Sequence, residues 1–170
     1  PYTPRKQQAF IHTELDKHRF SVLCCHRRFG KTVMLINHLI KCCMMNRNHQ
    51  PRFAYIAPTY SQAKKIAWDY LKFYTKGLPN TKYNETELRC DFFNGARITL
   101  LSSENPDSIR GIYLDGVVCD EASQISRELI DEVLRPAIAD RKGWMSLCST
   151  PKGMNNIFYD MYLKAQQEKD

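Results

Sequence analysis

Phe20-Ser21-Val22-Leu23-Cys24-Cys25-His26-Arg27-Arg28-Phe29-Gly30-Lys31-Thr32 is the stretch from which the rest of the chain can be ordered. Its first six residues, Phe20–Cys25, form a short apolar run that predicts a buried strand. Beyond the basic turn, Thr32–Met45 carries Val33, Ile36, Leu39 and Ile40 at helical spacing. Strand, Gly-containing turn, helix is the context in which the phosphate-loop pattern G-x-x-x-x-G-K-[ST] (Walker A) has a physical meaning. Gly30-Lys31-Thr32 fit its last three positions, and Cys25 stands where the first glycine is expected.

The residue types suit the chemistry. Backbone N–H groups at a helix start point at an anion. Gly30 lets the chain curl close to phosphates, Lys31 can reach the β and γ phosphates, and the Thr32 hydroxyl can ligate Mg²⁺. The expected nucleotide-binding set is therefore His26, Arg27, Arg28, Phe29, Gly30, Lys31 and Thr32. Arg27 and Arg28 put two cations beside the phosphates. At least one, Arg27 first, is a candidate for neutralising charge in the transition state, against the alternative of a solvated surface arginine.

Working outward, Phe53–Ala57, Gly116–Asp120 and Trp144–Ser149 also read as strands. Ser61–Tyr74, Arg127–Ala139 and Asn155–Gln167 read as helices. Alternation of this kind predicts an α/β fold, a mainly parallel central sheet flanked by helices. One departure is Leu88–Phe93 and Ala96–Ser102 around Asn94-Gly95, which predicts a two-residue hairpin with both turn residues at positive φ, inserted or at an edge near 88–102. The segments Thr75–Thr86 and Ser103–Gly111 read as loops.

Val117-Val118-Cys119-Asp120-Glu121 ends a buried strand in two carboxylates, the Walker B form. The crevice at the carboxyl ends of such strands is where open α/β sheets bind ligands. Asp120 is expected to hold Mg²⁺, and Glu121 to orient and deprotonate the attacking water. Ser149-Thr150 ends the last strand, where hydroxyls can sense a γ-phosphate. Arg5 and Gln8 precede the first strand, and a glutamine amide can both donate to and accept from an adenine edge.

Composition narrows the class. Hydrophobic residues at 43% and charged residues at 25% exclude a disordered or collagen-like chain. No run of about 18 apolar residues exists, so no helical membrane span is expected. Twenty-five Lys and Arg against 18 Asp and Glu give +7, which favours polyanionic partners. Seven cysteines without a C-x-x-C spacing read as small buried hydrophobes of a reducing compartment. A start at Pro1 and the polar run Gln166–Asp170 at the other end read as a piece of a longer protein.

Taken together, Tyr2-Thr3-Pro4-Arg5-Lys6-Gln7-Gln8, His26–Thr32, Asp120-Glu121-Ala122 and Ser149-Thr150-Pro151-Lys152-Gly153 resemble the ATPase domain of the large terminase subunit, the genome-packaging motor of tailed phages. The resemblance covers essentially the whole chain. It implies a P-loop NTPase fold of the ASCE type. Residues 1–170 would then be a single ATPase domain, with the family's C-terminal nuclease absent and no nuclease activity. It also implies ATP and Mg²⁺ as ligands, with catalytic roles for Glu121, Arg27 and Lys31 and metal roles for Thr32 and Asp120. By the same resemblance Gln8, or Gln7 with a register shift of one, looks like the adenine-contacting glutamine, with Arg5 beside it. Ser149 and Thr150 look like the coupling motif. Arg110, in Asp107-Ser108-Ile109-Arg110-Gly111, and Arg141 are the candidates for a trans-acting arginine or a DNA contact, against solvated surface arginines. Implied partners are double-stranded DNA, further copies in a ring (a monomer being allowed for the isolated chain), the portal and the small terminase subunit. The implied location is the cytoplasm of an infected bacterium. Two alternatives remain at this level: half of a superfamily-2-type helicase core, and a nucleic-acid-binding module without hydrolysis.

Overall fold

Seven strands make one sheet in the order β1-β7-β6-β2-β5-β4-β3. The structure, a computed structural model, describes residues 1–167, so the end of the polar run Gln166–Asp170 lies outside the described residues. The strands are β1 Phe20–Cys24, β2 Arg52–Ala57, β3 Lys82–Asn84, β4 Arg89–Asp91, β5 Arg97–Ser102, β6 Gly116–Asp120 and β7 Trp144–Ser149. Those from β1 to β5 in spatial order pair in parallel, and β4 and β3 add antiparallel at one edge. Burial on both faces explains why β2, β6 and β7 read as continuous apolar runs rather than alternating ones.

The helices are α1 Lys6–Leu15, α2 Lys31–Met45, α3 Tyr60–Gln62, α4 Trp68–Thr75, α5 Arg135–Ala139 and α6 Ile157–Gln167. A π-helical turn, Ala63–Ala67, joins α3 to α4, and another, Leu129–Leu134, precedes α5. Two apolar clusters result, one on each side of the sheet. Met34, Leu35 and Leu39 of α2 and Trp68 and Leu71 of α4 pack on Phe53, Tyr55 and Val118. Leu129, Ile130, Leu134, Ile138 and Phe158 pack on Val117, Cys119 and Leu147.

Several details differ from the sequence reading. The turn after β4 is a three-residue loop in which Gly95, at φ +80, is the only residue with positive φ. The Asn94 side chain donates to Cys43 O (2.9 Å) and accepts from Ala96 N–H (3.1 Å), holding Asn94 out of the left-handed region. The loop of 75–86 contains β3, which extends the ribbon to three antiparallel strands. Helix α1 is an addition to the elements that periodicity predicts. Its buried residues are Gln8 and Leu15, so no apolar stripe announces it. The segment 127–139 is not one regular helix, because Pro136 cannot donate back along the helix, and the wider turn lies just ahead of it.

Helix α1 is fastened to α2 by a chain of polar rings. Tyr2 OH lies 3.0 Å from His12 Nε2, and His12 Nδ1 lies 3.2 Å from His38 Nδ1. The two imidazoles stack at 5.4 Å, with the Trp144 ring edge-on to His38. Burial, aided by His12, holds the His38 pKa down from 6.5 to about 4. The unfolded chain therefore takes up this proton first on acidification. The stabilising effect of the neutral ring is complete above pH 6.5 and fades as pH falls towards 4, by on the order of 3 kcal/mol. Urea midpoints measured from pH 8 to pH 4.5 are expected to fall across that window, and more gently in His38→Gln.

An added Cβ at Gly116 would lie 2.3 Å from the Trp144 ring. Gly116→Ala is expected to lower the unfolding free energy by about 1–3 kcal/mol, read from the same urea titration.

Candidate functional site

The parallel register brings the informative segments to one end of the sheet. Cys24 pairs with Ser149 and Asp120 with Cys148, so the ends of β1, β7 and β6 lie side by side. The loop 25–30, Asp120-Glu121 and Ser149-Thr150 all leave the sheet there. Cys25 N–H, donating to Ser149 O at 3.0 Å, ties the first loop residue to β7.

Gly30 caps α2 at φ +84, and Arg28 also lies at positive φ, +63. A side chain at Gly30 would be strained by its backbone angle, and its Cβ would lie 2.9 Å from both Arg5 Nη2 and Gln8 Nε2. Those two side chains reach the loop from α1. Gln8 Nε2 donates to Phe29 O at 3.1 Å, the Arg5 guanidinium donates to the same carbonyl, and Gln8 Oε1 accepts Arg5 N–H at 3.0 Å. The buried Gln8 amide thus holds the loop through its nitrogen and caps its own helix through its oxygen. Its neighbour Gln7, the alternative in the sequence reading, instead lines an open groove of about 680 Å³ with Phe10, Cys24, Cys25, His26 and Phe29.

The acidic pair is positioned by separate means. Asp120 is 5% exposed. Its Oδ2 accepts from Thr32 Oγ1 at 2.8 Å and from Tyr55 OH at 2.5 Å, and its Oδ1 accepts Glu121 N–H at 2.9 Å. Burial, and then the Asp120 charge, push the Tyr55 phenol well above its ordinary value, so it stays a donor. Glu121 sits at φ +49, off the strand axis, which aims its carboxylate at Lys31 (3.3 Å) and Thr150 (3.4 Å). Ser149 Oγ donates to Ser123 Oγ at 2.8 Å, joining the end of β7 to the turn after Glu121. Beside Asp120 and Glu121 lies a cavity of about 160 Å³ with Thr32, Tyr55, Pro58, Gln62 and Ile66 in its walls.

Not every expected residue gathers here. Among the described residues, the side chains of Arg27 and Arg28 have no partner; both are exposed. His26 and Phe29 meet edge to face at 5.7 Å. Arg110 pairs with Asp107 (2.9 Å) and Glu128 (3.3 Å). Arg141 lies at the opposite end of the sheet, over the Tyr113 ring at 3.9 Å and donating to His49 O at 2.9 Å, beside the buried Asp115. All seven cysteines are free, five of them buried. The Cys148 thiol is raised well above its ordinary value by its hydrogen bond with Cys25 and by burial.

Sequence reasoning missed Tyr55, Ser123, Gln62 and Ile66. Tyr55 carried a faint signal. A phenol in the apolar run Phe53–Ala57 brings a polar tip that needs a partner once buried.

A mostly parallel sheet with a phosphate loop after β1 and a carboxylate pair after β6 defines a P-loop nucleotide-site fold. The sequence profile described as "Terminase large subunit, T4likevirus-type, N-terminal" matches residues 26–170, and the chain belongs to that family. It is 29% identical over 181 residues to the terminase large subunit of Thermus phage G20c, across 95% of this chain and 36% of that protein. The chain thus spans little more than a third of the length of the curated relatives it matches. Its structure is similar to the large terminase ATPase domain of Thermus phage P74-26, with a TM-score of 0.79 and 27% identity, covering 95% of this chain and 70% of that one. The fold also resembles the large terminase from a thermophilic bacteriophage in complex with ATP-gamma-S, with a TM-score of 0.75 and 16% identity, over 96% and 42% of the two chains.

Removing the α1 clamp tests its role in holding the loop. Gln8→Ala leaves Arg5 N–H and one contact of Phe29 O without the amide. Stability is expected to fall by about 1–2 kcal/mol, with hydrogen exchange of the loop amides 26–31 accelerating more than that of β6.

Proposed function

We propose that this chain is the ATP-hydrolysing motor portion of a terminase large subunit, driving double-stranded DNA into a viral procapsid. The observation that carries the reading is the convergence of Lys31, Thr32, Asp120 and Glu121 at the carboxyl edge of one parallel sheet. Family membership supports the same activity and substrate class.

The donor set at Thr32 and Asp120, a hydroxyl oxygen 2.8 Å from a carboxylate oxygen, suits a hard oxygen-seeking cation, and these two residues would hold Mg²⁺. When bound, Mg²⁺ neutralises charge on the phosphate oxygens. The N–H groups at the start of α2 orient the phosphates. The Lys31 ammonium meets their charge, and in doing so exchanges its partner Glu121 for phosphate. Glu121, released from that pair, accepts the proton of the attacking water. Thr150, on Glu121, and Ser149, on Ser123, are placed to carry the change along β7. Arg27, exposed and without a side-chain partner among the described residues, is the first candidate for stabilising the transition state in cis. Arg110, paired with Asp107 and Glu128, and Arg141, over the Tyr113 ring, are the two candidates for a trans-acting arginine or a DNA contact. The groove beside Gln7, walled by Phe10 and Phe29, is suited in size and apolar character to the base.

Assembly in a ring, contacts with the portal and small subunit, and a site in the bacterial cytoplasm belong to the same proposal. Among the described residues no helix is long and apolar enough to cross a membrane. Neither alternative from the sequence gains support. A non-hydrolysing module leaves the Lys31–Glu121 and Thr32–Asp120 pairs without a purpose, and nothing favours a helicase half over a terminase.

Calorimetry with ATPγS and Mg²⁺ tests the reading. Lys31→Ala is expected to weaken binding about 10-fold or more, equivalent to about 1.4 kcal/mol. Glu121→Gln is expected to bind normally and to lose about 10²–10⁴-fold in hydrolysis. A folded wild-type chain that binds no nucleotide would overturn the reading.

A further inference from the structure

The hydroxyl of Tyr55 donates to Oδ2 of Asp120 at 2.5 Å. Tyr55 is 3% exposed and belongs to β2, the strand next to β6. It pairs in register with Val118, which lies on the same face of β6 as Asp120, so the phenol extends along that face to the carboxylate. The ring packs in the α2-side apolar cluster, where a phenylalanine would fill the same space with no polar atom to satisfy.

The other donors to Asp120 differ from Tyr55 in one respect. Glu121 N–H belongs to the residue that follows Asp120 in the chain, just past the end of β6, and fixes only Oδ1. Thr32 belongs to the phosphate-loop helix, and its hydroxyl is the group that the proposed function also assigns to the metal. Among the described residues, Tyr55 is thus the only side chain anchored in the sheet that fixes Oδ2, and it forms one wall of the cavity beside Glu121.

We infer that Tyr55 is a positioning residue of the hydrolytic site: its hydroxyl locks the Asp120 carboxylate in the orientation that receives a divalent cation together with Thr32. The inference rests on the nucleotide-site reading and adds to it a residue on a strand outside the phosphate-loop and Asp120-Glu121 motifs. Partners behind a metal-holding carboxylate commonly change metal affinity about 10–100-fold when removed.

The test measures ATPγS binding by calorimetry twice for each protein, with Mg²⁺ and with EDTA. The readout is the gain in affinity that Mg²⁺ gives. Tyr55→Phe is expected to reduce that gain about 10-fold, with binding in EDTA unchanged within about twofold. Unchanged binding in EDTA also shows that the variant is folded. Asp120→Asn, run alongside, is expected to lose the same gain. A gain left whole in Tyr55→Phe while Asp120→Asn loses it overturns the inference alone. Equal weakening with and without Mg²⁺ overturns it too, since that is the mark of a purely structural role. A wild type that binds ATPγS with no Mg²⁺-dependent gain also overturns the inference, whereas a folded wild type that binds no ATPγS under either condition overturns the nucleotide-site reading itself.

Discussion

A carboxylate at a buried strand end sets the terms for this fold. Asp120 carries its charge at 5% exposure, where an ion without partners is costly to hold. Three donors satisfy it, and they come from three places: the phosphate-loop helix, the neighbouring strand β2, and the residue that follows it in the chain. Each donor therefore also fixes an element. Thr32 ties α2 to the sheet, Tyr55 ties β2 to β6 on the α2 side, and Glu121 N–H bends the chain off the strand. Loss of the carboxylate would free all three at once.

The loop itself depends on contacts from outside its own motif. Gly30 is required both by its left-handed backbone and by the nearness of Arg5 and Gln8. Those two side chains converge on one carbonyl, Phe29 O, so α1 works as a clamp on the outside of the loop. The clamp is in turn fastened to α2 through Tyr2, His12 and His38. A polar chain thus runs from the first residues to the helix that the phosphates would face. On the opposite side of the loop, Cys25 N–H is held by Ser149 O, which ties the first loop position to the end of β7.

The strand–loop–helix around Gly30 and the strand ending at Asp120-Glu121 are legible because each couples a short apolar run to residues of unusual chemistry. The parallel sheet follows from strands alternating with helices. What the sequence conceals has physical causes. Helix α1 buries a glutamine and one leucine, so hydrophobic periodicity cannot detect it. Strand β3 is three residues long and lies at the sheet edge, so it carries no apolar run. The turn at Asn94-Gly95 departs from its expected form because the Asn94 side chain bonds to α2, a tertiary contact that local turn preferences do not include. Gln8 bonds to the loop through its amide nitrogen and to the start of α1 through its amide oxygen, while Gln7 lines the groove, an arrangement set by tertiary contact. The Asp-Glu pattern locates Glu121, whereas its left-handed backbone, which turns it towards Lys31, is visible only in three dimensions.

In the proposed function this sheet edge receives a nucleoside triphosphate, whose phosphates take Lys31 away from Glu121. A crystal structure with Mg²⁺ and ATPγS tests it most directly. The expected result is phosphates against the N–H groups of residues 26–32, Lys31 Nζ on a phosphate oxygen, Glu121 turned free of Lys31, and the Thr32 and Tyr55 contacts to Asp120 preserved. A nucleotide bound elsewhere, or bound at the loop with the Lys31–Glu121 pair intact, would contradict it.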